Sequence, residues 1–160
     1  MSEQSTTLRR YAPHDAAATL RCFQRAVRET ASRDYDPSQI ASWAPSDVDV
    51  DKWGSRRATA ETWIAERDGQ VVGFADVGAD GYIDMMFVDP DAARSGVASA
   101  LLRHLVSLVR SRGGAQLNVN ASITARPLFE HHGFTVAAEQ RVERNGSVLT
   151  NYRMLRDLGR

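Results

Sequence analysis

Asp84 lies inside an apolar run, Tyr82 to Val88 (YIDMMFV), where an ionised side chain needs a reason to be. Strand alternation puts it on the same face as Tyr82, two residues away. A carboxylate so placed can hold an ammonium group or take its proton, directly or through an ordered water. The competing reading is a half-exposed strand residue or a salt-bridge partner. The run passes through Asp89-Pro90-Asp91 and re-emerges at Arg94-Ser95-Gly96-Val97-Ala98-Ser99 into a segment of helical period. A strand that ends in a small-residue turn and feeds a helix leaves unpaired N–H groups at the helix's positive end, and these suit phosphate oxygens. Arg94 to Ser99 are therefore expected to grip a diphosphate. Other reactive residues are isolated. Cys22 is the single cysteine, so an intrachain disulfide or a cysteine-based metal cluster is excluded, and its neighbours Leu20, Phe23 and Val27 mark it as a small buried hydrophobe. No metal site is expected. His131 and His132 are adjacent on a helix, so one should pack while the other is solvated.

These residues need elements to position them. Thr6 to Tyr11 is a short candidate strand, and Ala16 to Thr30 carries Leu20, Phe23 and Val27 at helical spacing. Asp36-Pro37-Ser38-Gln39 is a compact helix start, and the helix it opens has Ile40 and Trp43 on one side. Asp49 to Arg57 makes another helical turn or two. From Glu61 the period becomes strand-like. Thr62–Glu66, Val71–Val77 and Tyr82–Val88 are separated by Asp68-Gly69 and Asp80-Gly81, which suit antiparallel turns. The helix after the anion turn has Val97, Leu101, Leu105 and Leu108 on one stripe and stops at Gly113-Gly114. Gln116 to Asn120 is then a strand parallel to the Tyr82 strand, because a helical crossover joins them. A short helix comes next through Arg126 to Phe129, ended by Gly133. Val136–Arg144 and Val148–Met154 flank Asn145-Gly146, a strong hairpin signal.

The chain has 160 residues, formal net charge zero, 42% hydrophobic and 25% charged residues. That fits one domain over residues 1–160 of ordinary globular composition. Balanced charge gives no long-range field for nucleic acid or an anionic membrane, and no apolar run reaches membrane-span length. A cytoplasmic protein is expected. Gly-x-Ser-x-Gly, a Walker lysine, His-Glu-x-x-His and Gly-x-Gly-x-x-Gly are all missing from the sequence.

The element order, with the anion turn after the fourth strand, resembles the GNAT acyltransferase superfamily. FVDPDAARSGVASALL is similar to that superfamily's acyl-CoA diphosphate motif, and SITARPLFEHHGF to its second cofactor motif. RAVRETASRDYDPSQIASWA paired with YIDMMFVDP resembles the YafP-like bacterial branch. The resemblance covers nearly the whole chain. It implies a mixed α/β fold with a mostly antiparallel sheet of six to seven strands, helices on both faces, and the fourth and fifth strands parallel and splayed. Three positions depart from the motifs, one of them Arg94, which stands where a glycine is frequent. Ala93 stands where glutamine or arginine is common, and Phe129 replaces the tyrosine often proposed as the acid for the departing thiolate.

The resemblance further implies acetyl-CoA as co-substrate. Met86, Phe87 and Val88 would pair with pantetheine as an added strand, Arg94 to Ser99 would hold the diphosphate, and Ser122 and Phe129 would line the arm. Tyr35, Trp43 and Tyr82 would wall the acceptor pocket, with Trp53 near, and Asp84 and Tyr152 are the candidate base and acid. The implied activity is direct acetyl transfer to a primary amine of a small molecule. A non-catalytic acyl-CoA sensor and a protein-lysine acetyltransferase stay open as alternatives. The terminal hairpin offers a route to a homodimer.

Overall fold

The computed structural model describes residues 5–159. In chain order the elements are β1 (Thr7–Arg10), α1 (Ala16–Arg25), α2 (Pro37–Trp43), α3 (Val50–Thr59), β2 (Thr62–Arg67), β3 (Gln70–Asp76), β4 (Tyr82–Ile83), β5 (Met86–Val88), α4 (Val97–Ser111), β6 (Gln116–Ser122), α5 (Arg126–His131), β7 (Thr135–Arg144) and β8 (Ser147–Asp157). No helix among the described residues is long and apolar enough to cross a membrane.

The mixed α/β architecture is the expected one, with a correction in the sheet. The run from Tyr82 to Val88 is two short strands rather than one. β4 pairs in parallel with β6, while β5 pairs antiparallel with β3. The strands therefore divide into two four-stranded sheets, ordered β1-β2-β3-β5 and β4-β6-β8-β7. The break has a side-chain cause. The buried Asp76 carboxylate at the end of β3 accepts from the backbone N–H groups of Asp84 (2.9 Å) and Met85 (3.1 Å), which takes both donors out of the ladder.

α1 also ends differently from the single helix expected to Thr30. It passes into a π-helical turn, Ala26–Thr30, and then a 3-10 turn, Ala31–Arg33. α2 starts as read from the sequence: Gln39 N–H donates to the Asp36 carboxylate (2.8 Å), and the Gln39 side chain accepts from Asp36 N–H (2.9 Å).

Apolar layers cover both sheet faces. On one, α4 buries Val97, Leu101, Leu102, Leu105, Val106 and Val109 against β3, β6 and β8. Each such side chain contributes about 1.5–3 kcal/mol when fully buried. On the other, Leu20, Phe23 and Val27 meet Trp53 and Phe74. Gly73 on β3 lets the first turn of α4 come close, since a Cβ there would lie 3.0 Å from Val97 Cγ1 and 3.1 Å from the Phe87 carbonyl oxygen.

Candidate active site

The cofactor candidates Met86, Phe87, Val88 and Ser122 gather at the gap between β5 and β6. Asp89 N–H donates to the Val72 carbonyl (2.8 Å) and Asp76 N–H to the Met85 carbonyl (3.0 Å). In that register the ladder bonds fall on Met85, Phe87 and Asp89, so the peptide groups of Met86 and Val88 point away from β3. They are free to pair with an extended ligand in the gap.

A cavity of about 580 Å³ runs from this gap to the N-terminus of α4 and is lined by Met86, Phe87, Val88, Arg94, Gly96 and Ser99, among others. Arg94 (φ 59°) and Gly96 (φ 89°) both adopt left-handed backbone, and Gly96 is the N-cap of α4. Two left-handed residues beside a helix start turn consecutive N–H groups inward, an arrangement that binds anions. Nothing lies within 4 Å of where a Gly96 Cβ would stand. The residues present therefore fit a diphosphate.

The cradle is braced from both sides. Arg67 donates to Ser95 Oγ (2.7 Å) and to the Ser95 carbonyl (2.8 Å). Arg25 holds both Asp89 oxygens at 2.9 Å and reaches Asp91. Ser95 is thus turned toward Arg67 and the Ala92 carbonyl, and it is not among the residues lining the cavity. Ser99 Oγ lies 2.9 Å from His132 Nε2. Burial, together with His131, Arg103 and Arg156, holds the His132 imidazole below its ordinary value. His131 is exposed and His132 half-buried, the division that helical adjacency required.

A second cavity, about 300 Å³, meets the first at Trp43, Met86, Phe87, Ser122 and Ala125. Asp84, exposed, lines it with Phe23, Tyr35 and Trp53. Trp43 packs edge-on against Phe87 (6.2 Å) and Tyr35 (5.4 Å) at the junction. Tyr35 is buried and committed: its hydroxyl donates to the Thr150 carbonyl (2.6 Å) and accepts from Ile123 N–H (2.9 Å). Desolvation pushes that phenol above its ordinary value.

Other sequence candidates fall elsewhere. Phe129 lines the second cavity rather than the coenzyme-sized one, and it packs on Phe134 at 5.1 Å. Tyr152 lines neither; its hydroxyl meets Glu139 (3.2 Å) and Arg126 stands 4.5 Å over its ring. Tyr82 also lines neither, and its hydroxyl accepts from Asn120 at 3.3 Å. Burial and then Asp84 push the Tyr82 phenol up.

Sequence reasoning missed the pair that shapes the site. Asp76 is bound through its other oxygen to Arg57 Nη1 at 3.0 Å, and both are nearly fully buried. Arg57 lies 4.9 Å over the Trp53 ring, and Trp53 Nε1 donates to Thr19 Oγ1 (2.9 Å). Burial pushes the Asp76 carboxyl above the usual carboxylate range, opposed by the Met85 and Asp84 N–H groups and by Arg57. The available signal was an acid closing an otherwise apolar strand, VVGFAD. Cys22, behind β5, is buried as expected, with Sγ 3.8 Å from the Phe87 carbonyl, and burial pushes its thiol up to about 12.

Comparison with known proteins places this geometry. Residues 31–156 match the family model described as the acetyltransferase (GNAT) domain. The chain is 43% identical over 147 residues to the N-acetyltransferase YafP of Escherichia coli K12, covering 92% of this chain and 93% of that one. A GCN5-related N-acetyltransferase from Rhodopseudomonas palustris superposes with a TM-score of 0.93 at 33% identity, covering 99% of both chains. YncA from Salmonella typhimurium, solved with its cofactor acetyl-CoA, shares the fold with a TM-score of 0.72 at 23% identity over 96% and 94% of the two chains. The chain belongs to the GNAT family of N-acetyltransferases, enzymes that use acetyl-CoA as acetyl donor.

Proposed function

We propose that the protein moves the acetyl group directly to a primary amine of a small molecule. The observation that carries this is the meeting of the two cavities at Met86, Phe87 and Ser122, with Asp84 on the side away from the anion cradle. Arg94 and the N–H groups that open α4 anchor the donor's diphosphate. The outward peptide groups of Met86 and Val88 align its arm, and the Val88 N–H polarises the carbonyl as its oxygen gains charge. On the acceptor side, Asp84 binds the ammonium and takes its proton, freeing the lone pair. Acetyl-CoA supplies a thioester whose leaving thiol has a pKa of roughly 8.5, so departure without a proton costs little and the tyrosine replaced by Phe129 is dispensable.

A small acceptor fits the way the second cavity is walled. The tip of the β7–β8 hairpin is tied to α2 by Asn145 Nδ2 to the Ser42 carbonyl (2.7 Å) and Gln39 Nε2 to the Val148 carbonyl (2.9 Å). A protein segment would need an open groove there. The balanced charge supports an enzyme with neither nucleic acid nor an anionic membrane as partner, the length of 160 residues supports a single domain, and a cytoplasmic location is proposed with them. The largely exposed β7 edge is the surface available for a homodimer.

Thiol release measured over a panel of aryl amines, polyamines, amino acids and aminoglycosides tests the reading. Turnover is expected with at least one class, and Asp84→Asn is expected to lower kcat about 10²–10⁴-fold. Silence across the panel, with coenzyme binding intact, would count against it and favour a sensor.

A further inference from the structure

The acceptor cavity holds more than one charge. Arg56 of α3 and Arg144 at the end of β7 line it together with Asp84. Arg9, Arg10, Arg25, Arg57, Arg112 and Arg126 each pair with a carboxylate. The side chains of Arg56, Arg144 and Asp84 have no hydrogen-bond or ion-pair partner among the described residues. Two arginines and one carboxylate leave this cavity with a surplus positive charge.

Neither arginine sits on a loose segment. Arg56 is three residues after Trp53 and shares its cavity-facing side of α3, a helix pinned by the Arg57–Asp76 pair and the Trp53–Thr19 bond. Arg144 precedes Asn145, whose side chain is bonded to α2, and Ser147 Oγ meets Ser42 Oγ at 2.8 Å beside it. Side chains anchored at their roots and unpaired at their tips are ready to receive an anion. Phe23, Val48, Trp53 and Leu149 give the wall an apolar part, and Asn120, Asn145, Thr150 and Asn151 a polar one.

We propose that the acceptor is an amine that also bears a carboxylate on an apolar or aromatic body, in the manner of an aromatic amino acid. Asp84 takes the ammonium end, Arg56 and Arg144 take the carboxylate by charge-assisted hydrogen bonds, and the apolar part of the wall holds the side chain. This rests on the small-molecule reading of the acceptor. A polyamine or other multiply cationic acceptor is disfavoured, because the arginines repel every charge that Asp84 does not bind.

Matched pairs test it: phenylalanine against phenethylamine, and tryptophan against tryptamine, each assayed by thiol release with acetyl-CoA. The amino acid of at least one pair is expected to have a kcat/KM at least about tenfold above its decarboxylated partner. Arg56→Gln and Arg144→Gln are expected to erase that preference through KM, leaving the decarboxylated amine within about twofold. Both side chains are exposed, so unchanged thermal midpoints would confirm intact folds. Equal or better turnover of the decarboxylated amines overturns the carboxylate assignment and leaves the small-molecule reading standing. So does an equal loss on both substrates in the variants. No turnover of any amine, with coenzyme binding retained, overturns both.

Discussion

At Gly96 the backbone has a positive φ of 89°, and the space where a side chain would project is open. A residue with a Cβ is strained in that conformation by about 1–2 kcal/mol and would also project into the anion cradle. Gly96→Val is therefore expected to weaken acetyl-CoA binding at least about tenfold by calorimetry, with a fall of only a few degrees in melting temperature. This position was legible from residue types, because a run of small residues after an apolar strand has few other uses. Asp84 was legible for the opposite reason, as a charge where apolar residues were due. Tyr152 was not, since its partners Glu139 and Arg126 come from a neighbouring strand and a helix that strand alternation says nothing about. Tyr35 was identified as a pocket wall, yet its two backbone bonds tie β8 to the end of β6, a role visible only once the two strands are side by side.

Among the elements, the short break between β4 and β5 governs the rest. It lets the first sheet end on β5 and the second begin at β4, and it leaves Asp84 lining the second cavity. An apolar run such as YIDMMFV reads as one strand, because nothing within it signals the interruption. The cause is a carboxylate on the preceding strand held by an arginine two elements back, a contact that no local pattern encodes. Helix starts were legible because their determinants are local, as the Asp36–Gln39 capping box illustrates. Arg57→Leu leaves Asp76 buried without its counter-ion and is expected to cost about 3–5 kcal/mol in urea unfolding. Arg57→Leu combined with Asp76→Asn should recover part of that loss, as the stranded charge is gone and an acceptor oxygen is kept. On the proposed role of Asp84, activity should fall further than stability explains, since the break that places it depends on both partners.

Taken whole, the molecule should lose stability in mild acid. His104 packs 4.1 Å from the Trp63 ring, and its Nε2 is buried without a partner among the described residues. Burial holds its imidazole below the ordinary 6.5, against a smaller pull from Glu61, and His132 shifts the same way. Between the folded value and 6.5 the unfolded chain binds more protons, so this contribution is complete above about pH 6.5 and drains away as pH falls. Scanning calorimetry from pH 7.5 to 5 should show a falling midpoint, and His104→Phe should flatten the curve. The sealed sulfur of Cys22 has a practical corollary for such work. A chromogenic disulfide reagent added to the native enzyme meets only the thiol liberated by turnover, and the same reagent added to denatured protein titrates one equivalent per chain. Background colour in an assay without acceptor and without donor thus becomes a gauge of how often the packing around Cys22 opens.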